Sequence, residues 1–229
     1  MDESPNWIRP VQKQSLGEQA YQVLQTALMR GELKPGTILP LRPVAKSFGI
    51  SPTPMREAMM RLIAEHALEL DERSRVCVPH ITRAVLMEIR SIREKLEGDA
   101  ALTAATVASK EGIDELEAIH FAMIAAQNMN NFSEAIGCNT QFHLKLCEIA
   151  NQPVALALVF NLWMRCGPLL SHLYDAGIPP NWDPHPHERI VAALRASDGV
   201  EARNALIFDI RGNGEGLLAH VRNSDGDAG

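Results

Sequence analysis

The stretch Ser51-Pro52-Thr53-Pro54-Met55-Arg56-Glu57-Ala58-Met59-Met60-Arg61-Leu62 sets small polar and cationic side chains in the first turns of a helix that two prolines open. A guanidinium there, Arg56, can grip a phosphate or read a guanine edge with two parallel hydrogen bonds. Thr53 stands where side chains of a helix N-terminus reach bases and its free N–H groups meet phosphate. A second set of chemically able residues lies further along the chain. Asn139 and His143 are four apart and share one helix face; His187 opens a later helical segment, and Asp209 follows it. Arg93 and Arg165 interrupt largely apolar helical stretches, and a buried guanidinium needs an anionic partner. That partner is either the carboxylate of an effector or an internal acid such as Glu97 or Asp99.

The elements that must present the first set are readable from pattern. Leu16 to Met29 carries a one-sided apolar stripe with Ser15 as N-cap, and Gly31-Glu32-Leu33-Lys34-Pro35-Gly36 stops it. A short helix follows over 41–48 and ends in the turn Phe48-Gly49-Ile50. The next helix starts at Pro52 with Ser51 as N-cap and runs to about His66. Alternation over 68–70 and 75–78, around the polar turn Asp71-Glu72-Arg73-Ser74, predicts a two-stranded hairpin. Three helices and a hairpin make a winged helix-turn-helix, predicted over residues 1–80, with 1–12 as a loose arm.

From Thr82 the pattern is helical throughout. Segments near 82–108, 111–128, 132–150, 153–175, 184–197 and 199–220 each carry an apolar stripe of helical period. Six such helices predict an antiparallel bundle over 81–222 with a ligand site in its core, the loop 177–184 within it, and a disordered tail over 223–229. The fold class expected is therefore mainly α. With 46% hydrophobic residues in 229, the chain can bury a sizeable core. Net charge is −6, but residues 1–80 hold 10 Lys/Arg against 9 Asp/Glu, so the acidic excess lies in the bundle. A locally basic face is enough to meet phosphates. No apolar run reads as a membrane span, and Met1-Asp2-Glu3-Ser4 lacks the features of a signal peptide. Cys77, Cys138, Cys147 and Cys166 show no metal spacing and read as reduced thiols of a cytoplasmic protein.

On these residues the chain resembles the GntR family of bacterial regulators. The resemblance rests on Gly31 to Gly36, Leu39, Ala45, Phe48-Gly49-Ile50-Ser51, Thr53 to Ala58 and Arg61-Leu62. The rear resembles the FadR-like subgroup with its all-helical FCD effector domain. There it rests on Arg93 to Gly98 with Ala104-Ala105, Asn139 to His143 with Ala150-Asn151, and His187 to Ile190 with Ala193, Asp198 and Ala202. The resemblance implies a homodimer that binds a palindromic double-stranded DNA operator and responds to a small, often carboxylic, metabolite. It implies DNA contacts for Arg42 and Arg56. Pro52 replaces an arginine that commonly reads a base, and Ser74 and Arg75 stand where the wing usually has glycine; Arg75 could supply a lost contact.

Many FCD domains hold a divalent metal through one Asp and three His. In that pattern His143 and His187 match, Asn139 takes the place of the Asp, and Asp209 that of the last His. Such a set could still hold Zn²⁺, Ni²⁺ or Mn²⁺. His120, His172, His185 and His220 match no position of the pattern, and His185 is expected to face solvent. The function expected is a ligand-responsive transcription factor with Arg93 and Arg165 as effector anchors. Effector binding would shift the winged domains through the linker Pro79-His80-Ile81-Thr82. The alternatives are a metal-dependent hydrolase or lyase, and a regulator whose effector pocket is vestigial.

Overall fold

The structure, a computed structural model, describes residues 15–175 and 184–221. The arm expected over 1–12, the tail from 223 and nearly all of the loop over 177–184 lie outside the described residues.

The front of the chain folds as α1 (Leu16–Met29), α2 (Leu41–Ser47) and α3 (Pro52–Ala64), followed by β1 (Glu69–Leu70) and β2 (Val76–Cys77). Helix α1 starts where Ser15 Oγ accepts from the Glu18 N–H at 3.1 Å. It buries Ala20, Tyr21, Leu24 and Leu28 against Met55, Ala58, Met59 and Leu62 of α3. Ser51 holds the N-cap position of α3, but its side chain makes no cap bond. A capping hydroxyl commonly takes the third helical N–H, and here that residue is Pro54, which has none.

Strands β1 and β2 pair antiparallel, with Glu69 opposite Cys77 and Leu70 opposite Val76. Asp71 shapes the turn between them: its Oδ1 accepts from the N–H groups of Arg73 and Arg75 at 3.0 and 2.8 Å. Ser74 takes φ +57°, a left-handed conformation that glycine adopts more readily. An isolated bridge from Ile38 to Cys77 adds a third extended segment, which the sequence pattern does not predict.

The rear is a bundle of α4 (Arg83–Val107), α5 (Lys110–Asn128), α6 (Phe132–Ile149), α7 (Pro153–Leu170), α8 (Pro186–Arg195) and α9 (Gly199–Leu217), closed by a 3₁₀ turn at Leu218–His220. Thr82, Ser109 and Asn131 cap α4, α5 and α6 through their side chains. The core is built from Leu116, Met123, Phe142, Leu146, Trp163 and Leu206 among others. Helix α7 ends at Leu170, five residues before the predicted stop. By length and composition alone it could cross a membrane, a property the sequence reading did not assign to it. Half of it is buried inside the protein, where it packs on α1, α4 and α6. The four cysteines are buried and unbonded.

The winged portion is seated on the bundle through α1 and α7. Met164 of α7 is buried in the front core, beside Leu24 and Leu28. Gln25 Nε2 lies 3.3 Å from Met164 Sδ, and Asn161 Nδ2 donates to the Glu65 carbonyl at 3.1 Å. The two helices touch at Gly167, where an added Cβ would fall 2.5 Å from the Leu28 carbonyl oxygen and 2.8 Å from Met29 Cα. Backbone cannot yield as a side-chain tip does. Gly167→Ala is therefore expected to destabilise the protein by about 1–3 kcal/mol, the cost of overpacking a tight contact. Chemical denaturation compared with the unchanged protein measures it.

Candidate DNA interface and effector centre

Arg42 on α2 and Thr53 and Arg56 on α3 are all exposed. Neither arginine makes an ion pair or hydrogen bond among the described residues. Other cations nearby are pinned. Arg61 Nη1 bonds Glu18 Oε2 at 2.8 Å, and its guanidinium lies 3.7 Å above the Tyr21 ring. Arg56, Ser74 and Arg75 line one groove of about 400 Å³ between α3 and the hairpin. The fold thus gathers residues eighteen or more apart in sequence onto one face. Arg75 differs from the other two. Its Nη2 lies 2.6 Å from Asp71 Oδ2, and this side chain with its own N–H holds the Asp71 carboxyl below its usual range. Reaching a phosphate would require that exposed pair to open, which costs little in water.

The second set converges on Glu97 of α4, which is fully buried. Arg93, one turn earlier, gives it Nε at 2.6 Å and Nη2 at 3.4 Å. His143 of α6 places Nδ1 2.6 Å from Glu97 Oε2, which Arg93 Nη2 also reaches, and Nε2 3.0 Å from Asp209 Oδ2 of α9. The result is an alternating row of Arg, Glu, His and Asp across three helices. Burial alone would push the Glu97 carboxyl up, but the charges of Arg93 and His143 prevail and hold it at about 2. Burial likewise disfavours charge on His143, and the two carboxylates outweigh it and raise its pKa. The Arg93 guanidinium lies 3.8 Å over the Trp163 ring of α7.

Of the alternatives for Arg93, the internal acid is the partner found, and it is Glu97; Asp99 pairs with Arg203 instead. Asn139, His143, Asp209 and Arg93 line a common cavity of about 30 Å³. That is room for one or two waters or an ion, since a water needs about 10–15 Å³ on this measure. A metabolite would have to part the helices. Arg165 does not line this cavity. It lies two residues from Trp163, some 200° around the helix by the ideal α-helical period, and lines a separate pocket with His66, Pro79 and His80 at the domain junction.

His185 does not face solvent: it caps α8 and is buried, its Nδ1 accepting from the His187 N–H at 3.1 Å. His120 of α5 is buried as well. The sequence signal for His120 was its place on the buried stripe Ile113, Leu116, His120, Met123. His187 is fully buried, and Phe142 stacks on it at 3.7 Å. Burial, with the neighbouring histidines, pushes its pKa well below the ordinary value. Burial also takes His185 down to about 4, although Asp209 opposes it.

The donor set fits the divalent metal that the resemblance implies. Ligand atoms of His143, His187 and Asp209 lie within 4.8 Å of one another. Neither ring nitrogen of His187 has a hydrogen-bond partner among the described residues. Glu97 on His143 Nδ1 is the kind of carboxylate that orients a ligating imidazole.

Residues 16–78 match the family described as "Bacterial regulatory proteins, gntR family", and residues 88–211, more than half of the chain, match "FCD domain". The chain belongs to the GntR family. It is 32% identical over 194 residues to the HTH-type transcriptional regulator McbR of Escherichia coli (strain K12), covering 84% of this chain and 88% of that protein. It is 26% identical over 196 residues to the HTH-type transcriptional repressor RspR of the same organism, covering 84% and 85%. The solved structure of E. coli McbR/YncC superposes with TM-score 0.83 at 31% identity, over 91% of this chain and 99% of that one. A regulator from Rhodococcus sp. RHA1 shares the fold at 18% identity, with TM-score 0.77 over 91% of this chain and 100% of that one. A GntR helix-turn-helix joined to an FCD domain makes this chain a DNA-binding transcriptional regulator and not an enzyme, so the hydrolase or lyase reading falls away.

Glu97→Gln would leave Arg93 buried without its counter-charge, and we expect a loss of about 3–5 kcal/mol in unfolding free energy, typical of breaking one side of a buried pair. The pH dependence follows from the sign of the shift. A carboxyl depressed on folding stabilises the protein above its ordinary range, and that stabilisation is lost as pH falls toward the folded-state value of about 2. The unchanged protein should therefore lose stability between pH 5 and 2 (roughly the window that linkage assigns) more steeply than Glu97→Gln. Denaturation midpoints across that range decide it.

Proposed function

We propose that the chain is a cytoplasmic homodimer that binds a palindromic operator and is switched by a small carboxylate metabolite entering the helical domain, residues 81–222. The observation that carries the reading is the contrast between two sets of arginines. Arg42 on α2 and Arg56 in the second turn of α3 stand exposed and unpaired among the described residues, ready for phosphate or guanine. Arg93 is buried in the bundle with one nitrogen, Nη1, whose partner among the described residues is the Cys166 thiol at 4.0 Å. A carboxylate entering the cavity would meet that nitrogen, which Glu97 does not use.

Thr53, Ser74 and Arg75 complete the DNA face in this reading. A divalent metal would be held by Asn139, His143, His187 and Asp209, supplying a positive centre for the same carboxylate. Arg165 serves the junction between wing and bundle, beside the linker at Pro79 and His80, and not the effector. In a dimer the half-sites lie a helical turn of DNA apart, about 34–36 Å or a multiple. An effector that spreads the bundle would act on the winged portion through the α1–α7 contact and change that spacing.

Arg56→Ala is expected to weaken operator binding by about 1–3 kcal/mol if Arg56 reads a base. If it holds a phosphate, the slope of log affinity against log salt should fall by about one. Mobility-shift titrations at several salt concentrations, with the region upstream of the protein's own gene as probe, measure both. Undiminished affinity with an unchanged slope would remove Arg56 from the interface.

A further inference from the structure

The bundle holds a second gathering of histidines on the other side of His187. His120 of α5, His185 at the cap of α8 and His187 in its first turn are all buried, and each offers a nitrogen within 4.8 Å of the others. Their ring centroids are 5.0 Å apart for His120 and His185, 5.5 Å for His120 and His187, and 4.5 Å for His185 and His187. Neither nitrogen of His120 or of His187 makes a hydrogen bond among the described residues. Glu188 Oε1 comes within 3.4 Å of His120 Nε2 but outside hydrogen-bond geometry. A buried imidazole without partners is costly, and two side by side need an explanation. Each imidazole, when neutral, presents one nitrogen lone pair that a cation can take.

One member of this gathering, His120, also borders a cleft. A cleft of about 610 Å³ between α5 and α8 reaches His120, with Glu117 and Glu188 on its walls. The cavity at Arg93 and His143 is some twenty times smaller, and both nitrogens of His143 are engaged by carboxylates. We propose that the chain binds a divalent cation of borderline softness, such as Zn²⁺, Co²⁺ or Ni²⁺, through His120, His185 and His187. The site is distinct from Asn139, His143, His187 and Asp209, with which it shares only His187. Three neutral imidazoles suit such cations, and the rings must close in to reach bonds of about 2.0–2.1 Å. The fourth position faces the cleft, where Glu188 or water can fill it. Coordination competes with the cap at α8. The His185 Nδ1 lone pair either goes to the cation or takes a proton as Nε2 binds, and the lost cap is small beside three metal–nitrogen bonds.

The test is titration of chelator-treated full-length protein with Co²⁺, read by its visible absorption, with Zn²⁺ as competitor. It is run on the unchanged protein, His120→Gln and His143→Gln, with thermal unfolding of each metal-free variant as the check of folding; His185→Gln replaces His120→Gln should the latter not fold. The expected result is that His120→Gln loses an equivalent of cation that His143→Gln keeps, its affinity falling by at least the 10–100-fold typical of lost outer-shell partners. An equivalent lost by His143→Gln and kept by His120→Gln overturns this proposal and leaves the metal part of the proposed function standing. Binding kept by both variants overturns it in favour of another group, such as the partly exposed His172, Asp175 and His220. No binding by the unchanged protein overturns both.

Discussion

A carboxylate sealed from water must be neutralised by protein groups, and in this bundle the carboxylate is Glu97. Arg93 on its own helix bonds both of its oxygens, His143 on α6 shares Oε2, and His143 passes the constraint on to Asp209 of α9. The alternation of sign along the row leaves no charge uncompensated, so the arrangement is tolerable only when complete. Three helices are thereby fixed in register by hydrogen bonds that have direction, where apolar packing alone would allow sliding. Trp163 adds α7 to the set by lying under the Arg93 guanidinium. The small cavity lies beside these groups, with Leu86, Ile89 and Leu170 completing its wall.

Arginines are sorted by their surroundings rather than by sequence type. Arg61 and Arg75 are tied to nearby acids on the surface, Arg93 is tied to an acid in the interior, and Arg42 and Arg56 are tied to nothing among the described residues. An unpaired exposed guanidinium carries only its hydration, and it surrenders that easily to a phosphate. A buried one can change partner only by moving its helix. The same chemical group therefore stands open to a polyanion on an exposed face and locked in a core that resists rearrangement.

Most of the fold was legible because apolar period, caps and prolines agree along the chain. Helix α1 matches its predicted bounds at both ends, and the bundle helices agree within a few residues at most ends. The extended segment at Ile38 was not legible, since one bridging residue leaves no alternation to detect. The site was legible only where residues lie a turn apart, as Asn139 and His143 do, or where the family pattern supplied a long-range link, as for His187 and Asp209. Glu97 could be named as a partner for Arg93 from their spacing, but its bond to His143 joins residues 46 apart and depends on helix packing. Arg165 lies apart from Arg93, at the junction pocket, since interrupting an apolar run says that a residue is unusual, not which way it faces. His185 was misplaced because polar, proline-rich surroundings suggest solvent, whereas here a histidine caps a helix whose first turn is buried.

The contact at Gly167 joins two domains by backbone, and this bears on how such proteins can be recombined. Helix α7 carries Trp163 toward the cavity at Arg93 and His143, and Met164, the very next residue, into the core of the winged portion. A DNA-reading module grafted from another regulator would have to bring a helix α1 of the same curvature and a carbonyl at the depth of Leu28. Otherwise it would sit on the bundle at a new angle. Modules in this architecture are separable in sequence yet matched in shape, so an exchange that preserves each fold can still lose the fit between them.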